Sequence, residues 1–390
     1  MRVRPGIEVL LDERKNLLAG SRLAAVVHPA SVLPSLEHTA DAIFADDSLH
    51  LVSLFGPQHG ARGEKQDNMV ESQFYRDPDT RLPVHSLYSG TRRPTEEMLY
   101  DVDALIFDLQ DVGTRVYTFI HTMAYCMQAC AAYGKKMFVA DRPNPINGLS
   151  LEGSLLDPEF RSFVGLYAIP MRHGMTTGEL ALMYNSEFGI GCDLTVISMQ
   201  GWRRGDWFDR SGLPWVMPSP NLPTLDSATV YPGMVLIEGT LVSEGRGTTR
   251  PFELVGAPYV NARALADELN RLRLAGVYFR PVYFEPTFQK HAGVMCGGVQ
   301  VHVRDRDAFE PLLTGIAVIS TIRRMHPDAF QWRRPPYEYE TRRMPIEILC
   351  GGSRIPQQID AGTPIEDIRQ SWQEELEKFR RQRAPYLLYE

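Results

Sequence analysis

HLVSLFGPQHG, residues 50–60, changes character at its middle. It opens as an apolar, β-prone run and breaks at Gly56 and Pro57 into Gln58 and His59, with Gly60 closing the cluster. Arg62, Glu64, Lys65, Asp67, Asn68 and Glu71 follow within the next turn of chain. A buried strand that stops at a glycine-bracketed polar cluster is how α/β proteins present chemistry at the edge of a sheet. A long polar surface loop would read the same way locally. Recurrence along the chain favours the sheet edge.

Working outward, apolar strands are expected at 22–27, 83–88, 102–109 and 136–140, with helices at 6–18, 39–45 and 115–133. Near-continuous apolar strands alternating with helices predict a parallel, doubly wound sheet. Counting the opening stretch, four strands end in polar clusters bearing Gly or Pro: GPQHG, SGTRRPT, DLQDVG and DRPNP. Turn chemistry accounts for the Gly and Pro. It does not account for His59, Asp108, Gln110, Asp111, Arg115, Asp141, Arg142 and Asn144 collecting on one rim, where open α/β sheets hold their ligands. Neither GxGxxG nor GxxxxGK[ST] is present, so a dinucleotide or nucleotide site is not supported and no cofactor is expected.

Past an irregular connector, HGMTTGE (173–179) enters a helix with Thr176 and Glu179 in capping-box spacing, and His173 sits just before it. PSPNLPT (218–224) is too proline-rich for a central strand and reads as a rigid pocket wall carrying Asn221. Glu238 precedes a second Gly-rich segment, SEGRGTTR (243–250), where Glu244 and Arg246 stand two apart. Strands near 193–199 and 299–303 and helices near 261–274, 306–325 and 364–383 look like scaffold. The expected organisation is a Rossmann-like domain over 1–150 and a second α/β domain over 151–390, with a cleft between them.

A chain of 390 residues exceeds one ordinary core, which favours two domains. A formal charge of -7 argues against nucleic acid or an anionic membrane as the main partner. No apolar run reaches the ~18–20 residues needed to span a bilayer, and charges interrupt the N-terminal segment where a signal peptide would be apolar. The five cysteines form no CxxC pair; Cys126 and Cys130 fit two buried thiols in a helix better than a metal site, and free thiols fit the cytoplasm. No HxH or HExxH spacing supports a metal, so none is expected.

The blocks FGPQHG…KQDNMVES, RRPTEEML, FDLQDVGTRVYT, DRPNPING, HGMTTGELA, PSPNLPT and YPG…EGT…GRGT…PFELVGAP stand in order along nearly the whole chain. Together they resemble a bacterial family of exo-β-N-acetylmuramidases, the NamZ-like glycosidases, long catalogued as a domain of unknown function. The resemblance implies a Rossmann-like N-terminal domain beside a C-terminal α/β domain. It also implies release of non-reducing-end N-acetylmuramic acid from peptidoglycan fragments, the substrate being a muropeptide or a muramic-acid disaccharide. Where the muramidases carry Glu in the first block, this chain has Gln58, an amide that can neither donate a proton as an acid nor attack as a carboxylate. Glu244 or Glu71 is the expected replacement. Asp108, Asp111, Asp141 and Glu238 are further carboxylates for the acid and nucleophile that glycosidic cleavage needs. If the substrate's own acetamido group is the nucleophile, Gln58 and His59 suit an orienting role. Arg62, Arg115, Arg142 and Arg246 are candidates to hold the lactyl carboxylate. A related glycosidase with another sugar specificity, and a saccharide-binding protein without catalysis, are the alternative readings.

Overall fold

The structure, a computed structural model, describes residues 2–63 and 74–390. A seven-stranded sheet has the order β3-β4-β2-β1-β5-β6-β7. Its strands are β1 (Arg22–Val26), β2 (His50–Gly56), β3 (Tyr75–Arg76), β4 (Pro83–Ser86), β5 (Ala104–Phe107), β6 (Lys136–Ala140) and β7 (Asp193–Ile197). All neighbours run parallel except the β3–β4 edge pair. The fold is the expected Rossmann-like α/β arrangement. β5 reads Ala-Leu-Ile-Phe and every residue in it is buried, because both sheet faces are covered by helices. The sheet takes its last strand from beyond residue 150, after the Phe119–Tyr133 and Thr177–Glu187 helices.

A smaller antiparallel sheet follows, β8 (Leu254–Ala257), β9 (Val277–Phe284) and β10 (Cys296–Val303), with β10 in the centre. The helices Leu225–Met234, Ala262–Arg271 and Pro311–Met325 belong to this part. Gly233 lets two of these helices touch: a Cβ there would lie 1.7 Å from the Pro311 carbonyl oxygen. One continuous apolar core runs from Ala24 to Phe379 through both parts, so the two sheets share an interior.

Several helices are shorter than their periodicity suggests. The 6–18 stretch breaks after Gly6–Glu13 into a 3₁₀ turn, Lys15–Leu18. The 115–133 stretch becomes helical only at Phe119, because the Arg115 backbone N–H bonds the Met171 carbonyl instead. The 364–383 stretch divides into Ile365–Gln370 and Gln373–Arg383, and Trp372 at the break is buried.

The strand order reverses between β1 and β5, and the crevice beyond their carboxyl ends is the usual ligand position in such sheets. Here an ion pair and its hydrogen-bond partners occupy that crevice, with a small space left beside Gln110 and Arg142. Arg142 grips Asp108 through Nε at 2.6 Å and Nη2 at 2.8 Å, Thr39 donates to Asp108 at 2.6 Å, and His28 accepts from the Gln110 N–H. A second space lies one strand over, beyond β2.

Candidate active site

β2 ends in a sharp turn at Gly56, where a Cβ would lie 2.7 Å from the Ala61 nitrogen. The turn delivers Gln58 and His59 into a cleft whose walls also include Tyr117, Thr118, Ser219, Tyr231, Glu238, Arg246, Phe252, Tyr337 and Glu338. The first two sequence neighbourhoods here, 58–59 and 117–118, belong to the Rossmann-like part; residues from 219 onward come from the chain that follows it. His59, Phe252, Glu338 and Tyr339 all hold positive φ, a conformation unfavourable for their side chains. Backbone outliers gathered at one cleft mark a place where geometry is held for a purpose.

Two polar groups organise the cleft. In the first, Gln58 Oε1 accepts from Thr118 at 2.9 Å, while its Nε2 donates to Tyr88 Oη at 3.2 Å and to Glu338 Oε1 at 3.4 Å. Tyr88 in turn donates to Glu338 Oε2 at 2.7 Å. His59 faces Ser219, Nε2 to Oγ 3.5 Å, and the Tyr117 hydroxyl pins the proline-rich wall through the Pro218 carbonyl at 2.8 Å.

In the second, Arg246 sits between two carboxylates. Its Nη2 donates to Glu238 Oε1 at 2.7 Å, and its Nε lies 3.4 Å from Glu244 Oε1. The Tyr337 hydroxyl completes Glu238 at 2.8 Å, and Lys290 completes Glu244 at 2.8 Å. Gly245 and Gly247 flank Arg246 with φ near +80°, and a Cβ on Gly245 would lie 2.7 Å from the Leu254 carbonyl oxygen. That explains the Gly-Arg-Gly pattern. Burial alone would raise the Glu244 pKa, but Lys290 and Arg246 outweigh it and hold the carboxyl below its ordinary range. The Arg246 pKa moves up despite burial, because Glu238 and Glu244 favour its charge.

Of the residues singled out from sequence, Gln58, His59, Glu238 and Arg246 line the cleft, and Glu244 stands behind Arg246. Asn221 is buried in the wall beside Ser219 and Leu222. The others do not line this cleft. Asp108 and Arg142 form the ion pair that occupies the sheet crevice. Gln110 donates to the Asp111 and Pro143 carbonyls, both at 2.8 Å. Asp111 accepts from the Gly113 N–H at 2.7 Å and stands 3.4 Å from His173. Arg115 ties three carbonyls, of Ser154, Ile169 and Leu349, and burial lowers its pKa to about 10. Asp141 accepts from Thr176, the Gly178 N–H and Tyr389, so it anchors a helix start and the C-terminal tail. Asn144 donates to the Met175 carbonyl at 2.9 Å. Arg62 bridges Asp41 and Asp77 at 2.6 and 2.8 Å. Glu71 and Asn68 lie outside the described residues.

Sequence reasoning passed over Tyr88, Thr118, Tyr337 and, above all, Glu338. The stretch RRPPYEYETRR (333–343) was the available signal: tyrosines and glutamates alternate behind a proline pair and between arginines.

A polar cleft with buried carboxylates, tyrosines and an arginine, set beside a Rossmann-like sheet, defines an enzyme built to act on a polar, oxygen-rich substrate. The chain belongs to the exo-β-N-acetylmuramidase NamZ family: the family's N-terminal model matches residues 23–226 and its C-terminal model residues 229–389. It is 47% identical over 388 residues to the peptidoglycan β-N-acetylmuramidase NamZ of Bacillus subtilis, covering 100% of this chain and 92% of that one. Two crystal structures of DUF1343 family proteins from Bacteroides fragilis share the fold. One has a TM-score of 0.90 at 35% identity and the other 0.79 at 30%; each comparison covers 100% of this chain and 99% of the other.

Proposed function

We propose that this chain is an exo-acting glycoside hydrolase that removes N-acetylmuramic acid from the non-reducing end of peptidoglycan fragments. Similarity along the full length, at 47% identity, to a relative named for that activity carries the reading. The cleft supplies chemistry to match. Glycosidic cleavage needs a proton on the leaving oxygen and negative charge, or the substrate's own amide, at the anomeric carbon. We assign the proton donor to Glu338, which is buried at the cleft wall against the Gln58 amide and the Tyr88 hydroxyl. Glu244 is a poor donor, since two cations keep it ionised. Glu238, oriented by Arg246 and Tyr337, supplies the fixed negative charge.

Of the four arginines considered for the lactyl carboxylate, Arg246 lines the cleft, and Arg62, Arg115 and Arg142 do not. Arg246 is therefore the proposed contact for that group. Buried, unpaired Cys126, Cys130, Cys192, Cys296 and Cys350 support a cytoplasmic setting. No helix among the described residues is long and apolar enough to cross a membrane. The test is incubation with N-acetylmuramyl-N-acetylglucosamine. Release of both monosaccharides is expected; binding without release would favour a saccharide-binding protein and sink the enzymatic reading.

A further inference from the structure

The cleft has a volume of about 40 Å³ over its whole lining, too little for a sugar ring and enough for one small polar group. What enters it is therefore a substituent of a sugar and not the ring. Two donors in its wall have no partner among the described residues. Nε and Nη2 of Arg246 are turned to Glu244 and Glu238, and Nη1 makes no hydrogen bond. The Tyr231 hydroxyl makes none either, although the residue is only 8% exposed. Its ring is clamped edge to face by Tyr117 at 6.1 Å and by Phe252 at 4.9 Å, and the Arg246 guanidinium packs 5.2 Å from the same Phe252 ring. A buried tyrosine hydroxyl ordinarily finds a partner, so one left without it in a cleft wall is available to a ligand.

The charge around these donors is balanced. Glu238 and Glu244 against Arg246 alone would leave a wall that repels an anion. Lys290 supplies the second cation: its Nζ donates to Glu244 at 2.8 Å and to the Ile237 and Val242 carbonyls at 3.0 Å. Glu338, the assigned acid, adds no charge while it holds its proton. Burial, and after it the Glu238 charge, push the Tyr231 pKa up, so the hydroxyl stays neutral and able to donate. Val116, Val164 and Leu222 make part of the remaining wall apolar, a surface suited to a methyl group.

We propose that Tyr231 is the second donor to the lactyl carboxylate, acting beside Arg246, with the apolar wall receiving the lactyl methyl. The inference rests on the glycosidase reading and names how the site tells N-acetylmuramic acid from sugars that lack a lactyl group. A hydroxyl fixed between two rings loses little freedom on binding. Its bond to a carboxylate is about twice as strong as its bond to a neutral acceptor, so the pair reads charge as well as shape.

The test compares 4-nitrophenyl N-acetylmuramide with the same glycoside carrying a lactyl carboxamide, on the wild type and on Tyr231→Phe. The variant keeps both ring contacts and strands no hydrogen-bond partner. The wild type should prefer the acid. Tyr231→Phe should raise KM for the acid by about tenfold or more and for the carboxamide several-fold less, with kcat little changed, since uniform binding is what is lost. Equal rises on the two substrates, no rise on the acid, a loss confined to kcat, or a wild type that does not prefer the acid would each overturn the assignment. If the wild type cleaves neither substrate, the glycosidase reading itself fails.

Discussion

Gln58 and Glu338 are 280 positions apart in the chain and 3.4 Å apart in the fold, with the Tyr88 hydroxyl bonded to both. An amide that has no acid function thus lies against a carboxyl delivered from the opposite side of the cleft. On the proposed assignment, position 58 orients and Glu338 is the ionisable group.

Placing a second carboxyl at that contact should change the titration of the site. In Gln58→Glu two acids within hydrogen-bond distance share a proton, which raises the pKa of one of them. The limb of the kcat/KM profile that falls on deprotonation of the acid should move upward by about one pH unit or more. An unmoved limb would separate position 58 from the catalytic proton.

Arg246 neutralises two buried carboxylates, so its loss should damage both fold and binding. Arg246→Ala should cost about 3–5 kcal/mol of stability, the usual penalty for stranding buried charge. Arg246→Lys should retain more stability than the Ala variant and still raise KM, since a point charge cannot replace a planar fork. Urea denaturation and steady-state kinetics on both variants check the two parts.

Glu152 gives a pH dependence of known sign. It is buried and accepts from the Leu313 N–H at 2.7 Å, and burial lifts its pKa to about 7. A carboxyl raised in the fold is favoured when protonated, so its stabilisation is present below about pH 4.5 and lost as pH rises toward about 7. Glu152→Gln removes that loss. Relative to wild type, the variant should gain up to about 3 kcal/mol between pH 5 and pH 8, which denaturant titrations at the two pH values measure.

Gly233→Ala tests the helix crossing beneath the cleft. The added Cβ would overlap the Pro311 carbonyl, and Gly315 opposes Gly233 backbone to backbone. Overpacking of this kind costs about 1–3 kcal/mol or more. A melting temperature equal to wild type would contradict the crossing.

Much of the sheet was legible because parallel strands must be apolar throughout: β1, β2, β5 and β6 announce themselves as Arg22–Val26, His50–Gly56, Ala104–Phe107 and Lys136–Ala140. The Leu225–Met234 helix was not legible, since Pro232 and Gly233 signal a turn and the reason for the glycine is a neighbouring helix. The rim residues read differently in the fold for a related reason. Asp108 and Arg142 have the chemistry of a site, but each satisfies the other inside the crevice that a ligand would occupy. Gln58, His59, Glu238 and Arg246 could be picked out because glycine turns display them. Glu338 could not: it lies in an irregular segment with positive φ, and its importance comes from partners hundreds of residues away.

The most direct measurement is turnover by Glu338→Gln of the disaccharide N-acetylmuramyl-N-acetylglucosamine against 2,4-dinitrophenyl N-acetylmuramide, whose leaving group needs no protonation. If Glu338 is the proton donor, kcat for the disaccharide should fall by about 100-fold or more, the scale of general acid catalysis, while the dinitrophenyl substrate loses far less. Equal losses on the two substrates, or full activity on the disaccharide, would contradict the assignment.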